Sequence, residues 1–306
     1  MPVQCPACHT TDSDDFPFSS HVDSPKDREY FKTRKFPAKF LKCVSCLSLF
    51  QDPWPSVGET REFYQTNYQN YGKSNVPLLP LLLNKWESLA AKKFVKSFRG
   101  NAHILDFGCG TGTFLNNLFD YGCTHLTGFD FSYNRLEQEC ENGISYFNNL
   151  VELKNSNKSF QVIRMNHTIE HLTDVDDTLY LLGSMLNSGG VIVGQTPNAT
   201  HYTASLFNGY WGPLHFPYHT VIFSEKGLKK SAEKAGLELV NVSKTVQPTG
   251  WAMSLKNIFK ELSGSKKQGR TFPYVFIMLF CMPMVILDYL LPWNKTGVIN
   301  FALRKI

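Results

Sequence analysis

Three groups of side chains in this sequence have the types and spacing to do chemistry. Two Cys-x-x-Cys pairs, Cys5/Cys8 and Cys43/Cys46, lie near the N-terminus. Each presents two thiolates, and two such pairs complete a tetrahedral set suited to Zn2+. With all four positions filled by protein, that ion is structural and stabilises residues 1–50, which have little core of their own. A redox dithiol is the competing reading. The 34 residues between Cys8 and Cys43 leave room for an inserted loop. His9 reads as a bystander, and Cys109, Cys123, Cys140 and Cys281 as isolated packing residues.

The second group is the run Ile104-Leu105-Asp106-Phe107-Gly108-Cys109-Gly110-Thr111-Gly112. A glycine turn between a strand and a helix lets a ligand approach bare backbone and the amides of the helix start. The glycines run G-x-G-x-G, with Thr113 where a dinucleotide fingerprint would need its third glycine. Asp130 ends the run LTGFD, 20 residues after Gly110. A carboxylate at that separation accepts hydrogen bonds from ribose hydroxyls in doubly wound nucleotide sites.

The third group is Asn166-His167-Thr168-Ile169-Glu170-His171-Leu172, joined by the aromatic stretch from Trp211 to His219. Imidazoles titrate near neutrality, so His167 or His171 can take a proton from an attacking hydroxyl or amine. Glu170 can orient His171 or bond a substrate hydroxyl. The alternative for either histidine is a helix cap or a wall of the ligand pocket. Trp211, His215 and His219 read as substrate contacts on a stiff lid, or as a packed loop whose histidines bond backbone carbonyls.

These groups need a scaffold, and the hydrophobic pattern supplies one. HILDFG, HLTGFD, ISYF, FQVIRMN and GVIVGQTPN read as strands, alternating with helices over FLNNLFDYG, YNRLEQEC, DDTLYLLGSMLN and EKGLKKSAEKAG. Alternation of this kind predicts an α/β fold, a doubly wound and mostly parallel sheet with right-handed crossovers. LELVNVSKTVQ and VINFALRK add an antiparallel closing pair, seven strands in all. The expected organisation is a zinc ribbon over 1–50, a connector with a leading helix over 51–100, and the α/β domain over 101–306. At 42% apolar residues the chain of 306 is globular, and a net charge of +5 does not by itself point to nucleic acid.

The D-x-G-x-G-x-G run resembles the first motif of the class I S-adenosylmethionine-dependent methyltransferases, a Rossmann-like family. The resemblance implies S-adenosyl-L-methionine held by Asp106, Gly108, Cys109, Gly110, Gly112, Asp130 and Asn149, with Asp106 near its amino group and Asn149 at the adenine. The N-H-x-x-E-H-L segment resembles that of quinone- and sugar-methylating members. This implies His171, Glu170 and His167 as catalytic residues. The stretch from Trp211 to Ser224 resembles the family's W…P-x-H…F-S segment covering the active site, which implies Trp211, His215 and His219 as substrate-side residues. The second cysteine pair and F-Y-Q-T-N-Y resemble the zinc-ribbon start of bacterial saccharide methyltransferases, although Leu47 stands where those carry glycine.

Residues 272–293 carry one charge, Asp288, and are long enough to cross a bilayer. Pro283 and the need for the last strand to rejoin the sheet favour a broken hairpin in the membrane interface, within a basic and apolar insert over 252–295. Lys256, Lys260, Lys266, Lys267 and Arg270 precede it, positioned for anionic headgroups. A buried dimer interface is the alternative. The N-terminal residues MPVQCPACHT do not read as a secretory signal, so a cytoplasmic location with reduced thiols is expected. The expected activity is methyl transfer to a hydroxyl of a small or lipid-linked acceptor, a saccharide above all. An RNA methyltransferase and a non-catalytic binding scaffold are the alternatives.

Overall fold

The computed structural model describes residues 3–18, 39–60, 79–98, 101–131, 143–263, 272–290 and 296–306. The helix expected over 133–140 with Cys140, the basic residues Lys266, Lys267 and Arg270, and positions 291–293 lie outside the described residues.

The main sheet has seven strands. Five are parallel: β4 (Ile104–Phe107), β5 (Leu126–Phe129), β6 (Ser145–Phe147), β7 (Phe160–Asn166) and β8 (Leu186–Pro197). β10 (Leu237–Ser243) and β11 (Val298–Lys305) close it antiparallel, giving the order β10-β11-β8-β7-β4-β5-β6. Every residue of β4 and β5 is buried. That is why their sequences read as continuous runs: a parallel strand covered on both faces has no solvent side to alternate with. β4 pairs with β5 on one side and with β7 on the other. The strand order therefore reverses at β4, and open α/β sheets bind ligands in the crevice at the carboxyl ends of such strands.

Helices α1 (Leu79–Ser97), α2 (Thr113–Asp120), α3 (Leu150–Asn155), α4 (Val175–Ser184) and α6 (Glu225–Lys234) flank this sheet. Short α5 (Tyr202–Phe207) opens the lid segment, which ends at β9 (Val221–Ile222).

The N-terminal strands β1 (Ser13–Phe16), β2 (Lys39–Cys43) and β3 (Leu49–Asp52) form a second sheet whose fourth strand is β9, paired antiparallel with β3. The ribbon thus completes itself with a piece of the lid. Cys5, Ala7, Cys46 and Phe50 share one apolar cluster with Phe223, Leu228 and Ala232. This shared core is how a segment so poor in apolar residues folds.

The apolar segment departs from expectation. It is a single helix, α8 (Phe272–Leu290), running through Pro283, and its hairpin partner is α7 (Thr249–Ser263). A proline removes one helical hydrogen bond and crowds the preceding turn. Here Cys281 and Val285, buried on either side of Pro283, keep that stretch packed. Asp288 is buried near the C-terminal end of α8. It is 3% exposed and accepts hydrogen bonds from Tyr202 Oη (2.8 Å) and Trp251 Nε1 (3.1 Å), which fastens α8 to the lid. Among the described residues, no helix is long and apolar enough to cross a membrane.

Candidate active site

The glycine turn leaves β4 and enters α2. The amides of Gly108 and Cys109 both donate to the carbonyl of Phe129, at 2.7 and 3.0 Å, so the ends of β4 and β5 are locked together. Gly108 has φ +88° and Gly112 φ +75°, and a Cβ at either would strike Thr168 or Tyr146. Backbone conformation and space both require glycine there. Asp130 Oδ2 accepts from the Gly110 amide at 2.9 Å, which joins the carboxylate at the tip of β5 to the turn.

Asp106 is 1% exposed, one oxygen held at 2.7 Å by Arg164 on β7, whose guanidinium lies over the Phe114 ring. Burial pushes the Asp106 carboxyl up, and the guanidinium opposes that shift. Its other oxygen, Oδ2, has no hydrogen-bond partner. A backbone cradle, a carboxylate at its rim and an orphaned buried carboxylate oxygen together fit a nucleoside with a cationic tail. Asn149 is the N-cap of α3, its Oδ1 accepting from the Val151 amide at 2.8 Å. Cys109 is buried in the core, its amide held by the Phe129 carbonyl and its own carbonyl accepting from the Gly112 amide at 2.9 Å.

After β7 the chain turns through His167, which has φ +53°, into a short helical turn at Ile169–His171. Glu170 is fully buried and pairs with His167, Nδ1 to Oε1 at 3.2 Å, with His171 close on its other side. Burial would raise the Glu170 carboxyl, but the hydrogen bond from His167 leads the interactions that bring it below its ordinary value. Because the carboxylate only accepts, His167 Nδ1 carries a proton and Nε2 a lone pair. That lone pair accepts from the Gln247 side-chain amide at 3.1 Å.

His171 Nδ1 donates to Tyr218 O at 2.9 Å and His219 Nδ1 to Pro213 O at 2.7 Å, with the two rings 4.7 Å apart. Burial pushes both imidazoles below their ordinary range, His219 further than His171. Thr220 ties the lid to this turn, donating to the carbonyls of Glu170 and Leu172. His215 is partly exposed beside Tyr218 and His219. Trp211, expected to touch substrate, is 1% exposed with its indole N–H on Thr203 Oγ1 at 3.0 Å. It forms the lid's interior.

Cys5, Cys8, Cys43 and Cys46 converge with all four sulfurs within 4.8 Å of one another. The donor set and its closeness fit a tetrahedral Zn2+. His9 turns away from it to Asp176, 2.8 Å off.

The sequence did not single out Arg164, Gln247, Tyr146 or Gln51. Arg164 alone had a signal: it is the single charged residue of its strand, three strands after a buried aspartate of opposite sign in sequence order. The other three reach the site from remote parts of the chain.

A mostly parallel seven-stranded sheet with a glycine turn at its switch point defines the Rossmann-like methyltransferase class. The chain belongs to the methyltransferase domain family, whose model matches residues 83–242. It is 25% identical to a demethylmenaquinone methyltransferase of Leptospira interrogans over 162 residues, 48% of this chain and 64% of that protein. The chain thus aligns with less than two thirds of that relative's length. Among solved structures, mycolic acid cyclopropane synthase CmaA1 with SAH and CTAB superposes with a TM-score of 0.51 at 15% identity, covering 81% of this chain and 94% of that one. A SAM-dependent methyltransferase from Archaeoglobus fulgidus gives a TM-score of 0.48 at 20% identity, over 72% and 94% of the two chains.

Proposed function

We propose that this protein transfers a methyl group from S-adenosylmethionine to a hydroxyl oxygen of an amphiphilic acceptor, a lipid-linked saccharide in the first instance. The observation that carries the reading is the Asp130 carboxylate on the Gly110 amide at the switch point of the sheet. The sulfonium supplies an activated methyl carbon, so the protein needs to hold the partners in line and take one proton.

His167 is the residue for that proton. Its Nδ1–H is fixed by Glu170, and its Nε2 lone pair faces an amide N–H of Gln247, where an acceptor O–H would donate instead. It is one-third exposed, unlike buried His219, so a ligand can reach it. As the acceptor oxygen bonds to the methyl carbon, the carbon–sulfur bond breaks with its electrons going to sulfur. The hydroxyl proton goes to His167 Nε2.

The amphiphilic acceptor is inferred from α8. Phe276, Leu279, Phe280, Leu287 and Leu290 are each more than half exposed and recur at i, i+3, i+4, i+11 and i+14, a single helical face. Lys256 and Lys260 of α7 lie on the hairpin partner, and the sequence between the helices is basic. An apolar helical face with basic neighbours suits an anionic bilayer surface. The Leptospira relative is named for a quinone precursor, which is also an amphiphile.

The test is calorimetry with S-adenosylmethionine and S-adenosylhomocysteine, then transfer of a labelled methyl group to polyprenyl-linked saccharides. Asp130→Ala should weaken cofactor binding about 100-fold, on the scale of two lost charge-assisted hydrogen bonds. Wild-type protein that takes up neither compound would end this reading.

A further inference from the structure

Glu170 has two oxygens, and the His167 pairing uses one. The other, Oε2, is fully buried and has no hydrogen-bond partner. A buried carboxylate oxygen without a donor is the kind of group that normally has a cation beside it. Ligand atoms of Glu170, His171 and His219 all lie within 4.8 Å of one another. Nδ1 of each histidine faces a backbone carbonyl, which only accepts. Each Nδ1 therefore carries the proton, and each Nε2 carries a lone pair.

We infer that Glu170, His171 and His219 form a second metal site, separate from the four cysteines, which takes a divalent first-row transition ion such as Mn2+, Fe2+, Co2+ or Zn2+. Two imidazoles and one carboxylate are a donor set such ions accept, leaving coordination positions open. An imidazole whose far nitrogen donates to a carbonyl is the usual outer arrangement of a histidine ligand, because it fixes the tautomer and aims the lone pair. Tyr218 O and Pro213 O play that part here. Ligand atoms around one ion stand ~3 to 4 Å apart when bonds are ~2.1 Å, so small ring rotations close the set.

The three ligands come from two segments. Glu170 and His171 follow β7, and His219 is on the lid. Thr220 next to His219 donates to Glu170 O at 2.9 Å, so the segments are already stitched at this point. His171 is the partly exposed member, which puts the open side of the ion toward the crevice. If methyl transfer is the reaction, an acceptor hydroxyl or a vicinal pair of oxygens fills the open positions, and its proton becomes easier for His167 to remove. That role rests on the proposed function; the ion site rests on the geometry alone.

The test uses full-length protein loaded with zinc, titrated with Mn2+ and followed by loss of the free-ion resonance signal. Thiolates disfavour Mn2+, so the cysteine set does not compete. Saturable binding of one Mn2+ is expected, lowered tenfold or more in both His219→Ala and Glu170→Gln. His125→Ala, which alters an unrelated surface histidine pair, should leave it unchanged. Circular dichroism and zinc content of each variant distinguish a lost ligand from a lost fold. His171→Asn provides a further variant where either of the others fails to fold. Wild-type protein that binds neither Mn2+ nor Co2+ beyond the cysteine site overturns the inference, as does binding that survives in folded His219→Ala and Glu170→Gln. Cofactor uptake measured separately shows whether such a failure touches the methyl-transfer reading.

Discussion

The side-chain amide of Gln51 in the N-terminal ribbon donates to the carbonyl of His219 at 2.7 Å and to that of Pro217 at 2.8 Å. Gln51 is 4% exposed and sits on β3, next to the strand pairing of β3 with β9. A residue of the cysteine module therefore fixes the backbone of the loop that covers the site. Ser224 repeats the link, its hydroxyl donating to the Cys46 carbonyl and its amide to Ser48.

Gln51→Leu should lower the rate of transfer and raise the acceptor KM while changing cofactor affinity less than about threefold. The buried carbonyl of His219 loses its donor, a cost of about 1–3 kcal/mol before relaxation, and the half-buried carbonyl of Pro217 loses one at lower cost. Steady-state kinetics beside calorimetry measures the split. If the four cysteines hold a metal ion, a chelator that strips it should act on the same step, since it removes the support of β3.

Glu170→Gln and His167→Asn should each reduce the rate by about 100-fold or more, the usual range for a positioned base. Cofactor affinity should stay within a few-fold in both, because neither residue belongs to the glycine turn. The double variant should be little worse than either single one, since the pair works as a unit. Additive losses in single-turnover measurements would contradict the dyad.

Phe280→Asp with Leu287→Asp puts two charges on the exposed face of α8, both residues being more than half exposed. Wild-type protein should sediment with vesicles containing phosphatidylglycerol, and the double variant should stay in the supernatant with an unchanged melting temperature. Equal partitioning of the two would remove the membrane assignment.

Acid should loosen the lid. His201 is 2% exposed, and burial pushes its imidazole below its ordinary value while Asp288, 3.4 Å away, opposes the shift. The unfolded chain, with histidines near 6.5, then binds more protons than the native chain at mildly acidic pH. The stability is fully present above that value and is lost as pH falls below it toward the native pKa. His171 and His219, also pushed down by burial, act in the same direction. The melting temperature should drop between pH 7 and 5, and His201→Gln should make that slope shallower.

The sequence by itself determined the seven strands of the main sheet, the glycine turn and the cysteine set. Burial on both faces writes β4 and β5 as unbroken apolar runs, and a left-handed backbone at Gly108 and Gly112 admits hardly any other residue. Such constraints are local or periodic, so they survive in one dimension. Tertiary structure alone decided the partners. Glu170 hydrogen-bonds His167, three residues before it, while Nδ1 of His171 is held by Tyr218 of the lid, a carbonyl 47 residues away. Asp288 became the buried anchor of an apolar helix because Tyr202 and Trp251 meet it there. The ribbon proved continuous with the lid because its edge strand lacked a partner that β9 supplies. Each of these is a pairing of polar groups across long stretches of chain. Hydrophobic periodicity carries no record of which donor a buried acceptor will meet.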